Sequence, residues 1–116
     1  MRDNREWLRT GAQLMVLSLI NEKDRYGYEI IQELERRSDE VFQMKEGTLY
    51  PILHRLENEG HLKSYKQKAV ENRERKYYRI TKKGKTQLQE EKEKWSVFSN
   101  SVKKVVNGME LTLNGR

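Results

Sequence analysis

The spacing of apolar residues changes at Gly60, and this change constrains the fold more than any other feature of the chain. Upstream, residues 46–59 carry leucine and isoleucine at the spacing of one helix face, namely Leu49, Ile52, Leu53 and Leu56. Gly60 itself can take the left-handed conformation that ends a helix. Downstream, residues 62–65 and 77–81 are rich in strand-forming types. The sequence therefore predicts a docked helix followed directly by a β-hairpin.

Two more helices are predicted upstream of this one. The nearly continuous apolar run at residues 14–20 fits either a buried helix or a buried strand, and the length of the segment favours a helix of about 14 residues. Residues 1–6 are polar, and we expect them to be loose. After a polar break at residues 21–25, the second helix is predicted from about Tyr26 to Ser38.

Pro51 lies inside the helix predicted around residues 46–59. Proline has no N–H and is tolerated in a first helical turn. Either the regular helix starts near Thr48, or it starts earlier and accommodates the proline.

The hairpin carries a long polar loop and leads into a final helix. Residues 67–74 form the loop, and the inward-facing strand residues are either Tyr77 with Ile80 or Tyr78 with Arg79. Thr81 is a favourable N-cap, and the last helix is predicted from about Lys82 towards Asn107.

The last helix carries apolar residues at spacings typical of a helix–helix seam. The predicted dimer-interface residues are Leu88, Trp95, Phe98, Val102 and Val105. From Trp95 onward the steps alternate between three and four residues, as in a heptad repeat. The seam indicates pairing with a second copy of the chain; the alternative is a helix packed only on its own domain.

The composition excludes several classes of protein. Only 34% of the residues are hydrophobic and 36% are charged, so the core of a monomer is thin. The absence of cysteine excludes disulfides, thiolate metal sites and thiol catalysis. His54 and His61 are the only histidines, and no carboxylate cluster has metal-ligand spacing, so we expect no enzyme, no metal and no cofactor. No signal peptide or membrane span is predicted, and we expect a soluble, cytoplasmic protein with no membrane partner.

Positive charge is concentrated around the hairpin. Residues 63–85 hold ten Lys or Arg against two Glu and carry a net charge of +8, so that the rest of the chain is at −2 within the total of +6. A concentrated positive patch is typical of proteins that bind a polyanion. A well-solvated surface is the alternative.

Three helices followed by a hairpin form the order of a winged helix-turn-helix, so the predicted partner is double-stranded DNA. We predict a mainly α (α+β) fold, with this DNA-binding domain at residues 1–80, a C-terminal dimerisation helix at 81–107 and a flexible tail at 108–116. The residues predicted to contact phosphates are Lys66, Lys68, Arg73, Arg75 and Lys76. Those predicted to face the major groove are Thr48, Tyr50, Pro51, His54 and Arg55. Tyr26 and Lys45 complete the predicted DNA-binding set.

Arg55 has three interpretations. Its guanidinium can pair with a guanine, reach a phosphate, or form a surface ion pair with Glu59 four residues along the helix.

Three segments resemble the PadR family of bacterial transcriptional regulators. Residues 46–60 (EGTLYPILHRLENEG) resemble the family signature, residues 26–30 (YGYEI) the start of its second helix, and residues 73–84 (RERKYYRITKKG) its wing and the entry to its last helix. The length resembles the short subfamily with a single C-terminal helix. The resemblance implies a homodimeric protein, usually a repressor of a palindromic operator that responds to small molecules.

The resemblance also implies an effector pocket between the first and last helices of a dimer, where an aromatic residue stacks on flat ligands. Trp95 stands at the matching position, and the same region is lined by Trp7, Gln13, Leu14, Gln87, Glu91 and Ser99. Glu91 departs from the small apolar residue that opens a flat pore, and Glu71-Asn72 replaces glycines at the wing tip. Trp95 is interpreted either as a ligand platform or as a plain anchor of the dimer interface.

A second hypothesis assigns the protein to a different class. A winged helix can also act as a protein-interaction module that docks on an acidic partner without reading DNA, and the charge of the wing alone does not distinguish the two.

Overall fold

The computed structural model describes residues 2–68 and 71–108, with side chains from residue 11 onward. Four helices and three strands follow in the order α1 (Arg2–Glu22), β1 (Arg25–Tyr26), α2 (Gly27–Arg37), α3 (Glu46–Asn58), β2 (Leu62–Lys68), β3 (Glu74–Ile80) and α4 (Lys82–Val106). This order confirms the predicted mainly α winged helix-turn-helix with a long C-terminal helix. Apart from Gly108, the predicted flexible tail lies outside the described residues.

Two expectations about the first part of the chain are wrong. The helix α1 begins at Arg2, so residues 2–6 are not loose; once a helix is nucleated, each further residue adds one hydrogen bond, and polar residues can extend it. The sheet has three strands instead of two, because Arg25 and Tyr26 pair with Tyr78 and Tyr77.

The structure decides between the alternatives for Pro51. The helix α3 begins at Glu46, so Pro51 is its sixth residue and lies beyond the first turn. Proline cannot donate to the carbonyl of Gly47, four residues earlier, and α3 continues despite this missing bond.

The core lies between the three N-terminal helices and one face of the sheet. Its largest fully buried side chains are Val16, Leu17, Ile20, Ile30, Leu49, Leu53, Leu56 and Tyr78. Burial of each aliphatic side chain of this size stabilises a fold by about 1.5–3 kcal/mol. Every predicted apolar position of α3 is buried, so its docked face is the predicted one.

The strand order β1-β3-β2 sets which side chains face inward. Tyr78 and Ile80 are buried, whereas Tyr77 is half-buried and Arg79 is exposed. Neither predicted inward pair is right, because each combined one odd and one even residue, and successive residues of a strand face opposite sides.

The start of α4 is packed tightly against the corner between α3 and β2. The Thr81 hydroxyl accepts a hydrogen bond from the Gly84 N–H at 3.0 Å, which confirms the predicted N-cap. A Cβ atom on Gly84 would overlap the carbonyl oxygen of His61 and lie 2.7 Å from Cγ1 of Ile80. The Lys83 ammonium donates to the Glu59 carbonyl at 2.8 Å, where it complements the C-terminal end of the α3 dipole.

An ion-pair cluster joins the ends of α1 and α2. Both terminal nitrogens of Arg37 donate to the Glu22 carboxylate, at 2.8 and 2.6 Å, and Arg25 donates to it at 2.9 Å. These hydrogen bonds, with Arg37 contributing most, lower the pKa of Glu22 from 4.5 to about 2. Arg25 is itself buried, and its Nε donates to the Leu19 carbonyl at 2.8 Å.

Among the described residues, none of the helices combines the length and apolarity needed to cross a membrane. The same residues include no group of three His, Asp or Glu placed to hold a metal ion.

We expect Gly84→Ala to lower the free energy of unfolding by about 1–3 kcal/mol, because the new methyl group overlaps backbone atoms that cannot move independently. Gly47→Ala is the matched control, since a Cβ there meets nothing within 4 Å and alanine is the better helix former. Thermal melting of both variants measures the difference. Equal melting temperatures would contradict the proposed tight packing at Gly84.

We expect the Glu22 cluster to make stability depend on acid pH. Because the folded-state pKa of Glu22 is about 2, its contribution is complete above pH 4.5 and is lost as the pH falls towards 2. Melting temperatures of the wild type should therefore decline more steeply over this interval than those of Glu22→Gln. The effect is modest and weakens at high salt, because the carboxylate is exposed to solvent. Parallel melting curves for the two proteins would argue against the assignment.

Candidate nucleic-acid interface

The outward face of α3 collects most of the residues predicted to face the major groove. Thr48, Pro51, His54 and Arg55 are exposed, while the leucine face is buried. Lys45, which precedes the helix as its N-cap residue, is exposed as well. The open side of α3 is therefore a polar surface with one histidine and one arginine.

Tyr50 lies apart from this surface. It is half-buried and packs against the core, and a Cβ atom on Gly27 would lie 2.8 Å from Cζ of its ring. Gly27, at the first residue of α2, thus leaves the space that the Tyr50 ring fills. The structure places Tyr50 as a contact between the two helices of the helix-turn-helix, with only part of the side chain accessible.

Arg55 makes a contact that the sequence did not indicate. Its Nη2 donates to Oε1 of Gln13, on α1, at 3.1 Å, in place of the Glu59 pair considered above. The Gln13 amide donates in turn to the Glu91 carboxylate, on α4, which also accepts from Gln87 at 2.9 Å. A polar chain therefore runs from the outward face of α3 through α1 to α4.

The wing, which consists of β2, β3 and the segment between them, presents cations along its length. Lys66, Lys68, Arg73 and Lys76 are exposed, and Arg75 is half-buried. Lys66 is directly opposite Lys76 in the register. Like charges in this arrangement destabilise a strand pair, and an anion between them relieves the repulsion. The wing is thus suited to a polyanion, as its charge predicts.

Three tyrosines form a continuous aromatic surface on the outer side of the sheet. Tyr26 meets Tyr77 edge-to-face at 5.3 Å between ring centroids, and Tyr77 stacks on Tyr65 at 5.7 Å. A guanidinium covers each end of this tyrosine ladder: Arg75 lies 4.5 Å from the Tyr26 centroid and Arg79 lies 5.1 Å from that of Tyr65. The Tyr65 hydroxyl donates to Asp24 at 2.6 Å, and this bond raises its pKa.

Sequence reasoning missed the ladder, apart from naming Tyr26 and Arg75 separately. Residues 65, 75, 77 and 79 share a face only in the observed register, in which Tyr65 pairs with Tyr77. In β3, arginine and tyrosine alternate at every second position, residues 75, 77 and 79, and this was the available signal. It did not indicate which residues of β2 lie opposite them.

The second half of α4 has an apolar face without cover from its own chain. Trp95 is 45% exposed, Phe98 55%, Val102 41% and Val105 84%. Leu88, which the sequence assigned to the dimer interface, is instead 3% exposed and belongs to the core of its own chain. The spacing of apolar residues is the same along both halves of α4. It therefore could not show which half packs on its own domain and which half is exposed.

A groove of about 270 Å³ lies beside Trp95. It is lined by Leu14, Glu91, Lys94, Trp95 and Phe98. Of the predicted effector residues, Leu14, Glu91 and Trp95 are therefore brought together, and Gln13 and Gln87 are bound to the Glu91 carboxylate. Ser99 is half-buried on the next turn, and the side chain of Trp7 lies outside the described residues. Lys94 also lines the groove and was not among the predicted residues.

Comparison with known proteins gives a consistent match. The family model described as the transcriptional regulator PadR-like family matches residues 16–90. An uncharacterised protein of Lysinibacillus sphaericus is 42% identical over 96 residues, which cover 83% of this chain and 88% of that protein. A transcriptional regulator of Mycobacterium tuberculosis is 38% identical over 88 residues, covering 76% of this chain and 78% of the relative.

The fold is also found among solved structures. A transcriptional regulator from Clostridium thermocellum superposes with a TM-score of 0.78 at 35% identity, covering 85% of this chain and 93% of that one.

Proposed function

The chain belongs to the PadR-like family of transcriptional regulators, and on that basis we propose that it is a homodimeric repressor of a palindromic operator. The family's regulators bind DNA and generally dimerise, and they are not enzymes. We further propose that a small planar aromatic effector releases this repressor from DNA.

The observation that carries the DNA-binding proposal is that the polar outward face of α3 is followed directly in the chain by the basic hairpin of β2 and β3. The helix α3 exposes Thr48, Pro51 and His54, which are suited to base edges and methyl groups. The next two elements, β2 and β3, expose lysines and arginines suited to phosphates. In a winged helix, the recognition helix contacts the bases and the hairpin contacts the DNA backbone, and these two surfaces fit those roles.

The dimer proposal rests on the apolar face of α4. Exposed Val97 and Val106 flank the Trp95, Phe98, Val102 and Val105 stripe, so the apolar surface is wider than a single helix seam needs. A surface of this width suits a partner that contributes more than one helix. The radius of gyration, 16.9 Å, exceeds the ~13 Å of a compact domain of this length, consistent with an α4 that projects towards a partner.

The effector proposal rests on the groove beside Trp95. An indole, a phenyl ring and an aliphatic side chain surround the 270 Å³ space, with one carboxylate and one ammonium at its edge. Flat aromatic ligands stack favourably on such rings. Glu91 favours a ligand with a hydrogen-bond donor or a positive charge, because its carboxylate is an acceptor.

The experiment that tests the function is selection of bound sequences from random DNA, repeated with a panel of planar aromatic compounds. We expect enrichment of a palindrome and weaker retention with at least one compound. Enrichment of no sequence would instead favour the alternative, a winged-helix module that docks on an acidic protein partner.

We expect Lys76→Ala to weaken binding to all DNA sequences alike and to lower the slope of log K against log[salt] by about one. The reason is the loss of one phosphate contact and of the counterion release that accompanies it. Lys103→Ala, which removes the same charge from the last turn of α4, is the control and should leave the slope unchanged. Titrations at several salt concentrations measure both. An unchanged slope in Lys76→Ala would remove this lysine from the interface.

We expect Val102→Glu to convert a dimer into a monomer of 14.0 kDa at micromolar concentration, because the carboxylate would have to lose its water in an apolar interface. Asn100→Glu is the matched control, since Asn100 is exposed on the opposite side of the same helix. Sedimentation measures the mass of each. A wild type that sediments as a monomer, or a dimeric Val102→Glu, would overturn the proposed interface.

A further inference from the structure

We propose that Tyr26 is a positioning residue for DNA binding, whose ring holds the Arg75 guanidinium in the orientation that meets a DNA phosphate. The inference rests on the proposed DNA-binding function and adds to it a specific division of roles within the wing. Arg75 makes the contact, and Tyr26, at the start of α2, determines where Arg75 points.

Arg75 differs from Lys66, Lys68 and Arg73, which are also predicted to contact phosphates. Its guanidinium carbon lies 4.5 Å from the centroid of the Tyr26 ring, within the range of a cation–π contact. Its Nε is enclosed and has no hydrogen-bond partner among the described residues. The donors left for a ligand are therefore those on the two terminal nitrogens. Lys66, Lys68 and Arg73, by comparison, are exposed.

The Tyr26 ring is itself fixed from several sides. The Tyr26 backbone pairs with that of Tyr77 in the sheet, and the backbone N–H of Tyr26 donates to the Glu29 carboxylate at 3.3 Å. Its ring abuts Tyr77 at an interplanar angle of 75°, and Tyr77 stacks on Tyr65 at 16°. Tyr26, whose ring contacts Arg75, thus belongs both to the sheet and to the N-cap of α2.

This arrangement has a consequence for binding. A free lysine or arginine loses rotamer freedom when it contacts a phosphate, whereas the stacked Arg75 has lost much of it already. Arginine suits the role because its planar guanidinium stacks on an aromatic face and still presents several donors, which an ammonium cannot do. The contact also joins β3 to α2, so the wing and the helix-turn-helix approach the DNA backbone as one unit.

A double-mutant cycle tests the proposal on an operator found by selection. Tyr26→Leu and Arg75→Ala should each weaken binding about tenfold and lower the salt slope by about one. The double variant should be no more than about twofold weaker than either single variant, because both changes remove the same phosphate contact. Tyr26→Phe keeps the ring that holds Arg75, so its salt slope should equal that of the wild type.

Arg73→Ala serves as the matched control. Arg73 is exposed, and no ring partner is recorded for it in the described part of the chain. Its effect should therefore multiply with that of Tyr26→Leu, and the pair should lose about two units of salt slope.

The outcomes separate the inference from the proposed function. A wild type that binds no DNA overturns both. A wild type that binds its operator, with effects of Tyr26→Leu and Arg75→Ala that simply multiply, overturns the positioning role alone. Tyr26→Leu with weakened binding but an undiminished slope also overturns it, since a merely structural defect leaves the phosphate contact in place.

Arg75→Lys covers the case in which Tyr26→Leu does not fold. This variant leaves all three tyrosines intact and keeps the charge. We expect a several-fold weaker complex with a salt slope lowered by about one, as in Tyr26→Leu, because an ammonium does not stack flat on the ring and is not held at the phosphate. Wild-type affinity in Arg75→Lys would show that charge alone is sufficient and would overturn the proposal.

Discussion

The burial of one face of α3 is the constraint on which the rest of the structure depends. Leu49, Leu53 and Leu56 are completely removed from solvent, and together they contribute several kcal/mol at about 1.5–3 kcal/mol each. Rotating the helix by even a third of a turn would expose them. Pro51, His54 and the other residues on the opposite side of α3 must therefore face the solvent. The position of the proposed DNA-reading surface is therefore set by the packing of the core.

The sequence predicts the elements that depend on local spacing and misses those that depend on pairing between distant residues. The stripe on α3, the Thr81 cap and the extent of α4 follow from periods and caps confined to a few turns. The strand β1 has two residues, too few for any alternation to be visible. Arg55 and its partner Gln13 are 42 positions apart, and nothing local indicates that contact. The candidate site was thus predicted as a set of residues, but the partners that orient them were not.

The wing combines two opposite devices. On one side, Lys66 and Lys76 lie opposite each other and gain when an anion comes between them. On the other side, the tyrosine ladder holds Arg75 and Arg79 by their flat faces, with Asp24 joined to Tyr65. In the proposed complex with DNA, the first arrangement makes binding strong and sensitive to salt. The second gives the hairpin a fixed attachment to the helix-turn-helix, so its charge is delivered at a set distance from α3.

The missing side chain at Gly84 has a mechanical consequence. Because α4 crosses the His61 backbone without a spacer, its root cannot tilt independently of the corner that ends α3. The 25 residues of α4 extend for about 37 Å. In the proposed dimer, the start of this helix is fixed to its own DNA-binding domain, and the rest of the helix extends towards the partner. A rotation of about 10° where two such helices cross, near the middle of the Trp95–Val105 stripe and roughly 27 Å from Lys82, would displace each DNA-binding domain by roughly 5 Å at a rise of 1.5 Å per residue. Because the two domains of the proposed dimer must enter successive major grooves about 34–36 Å apart, such a displacement changes the spacing on which their fit depends.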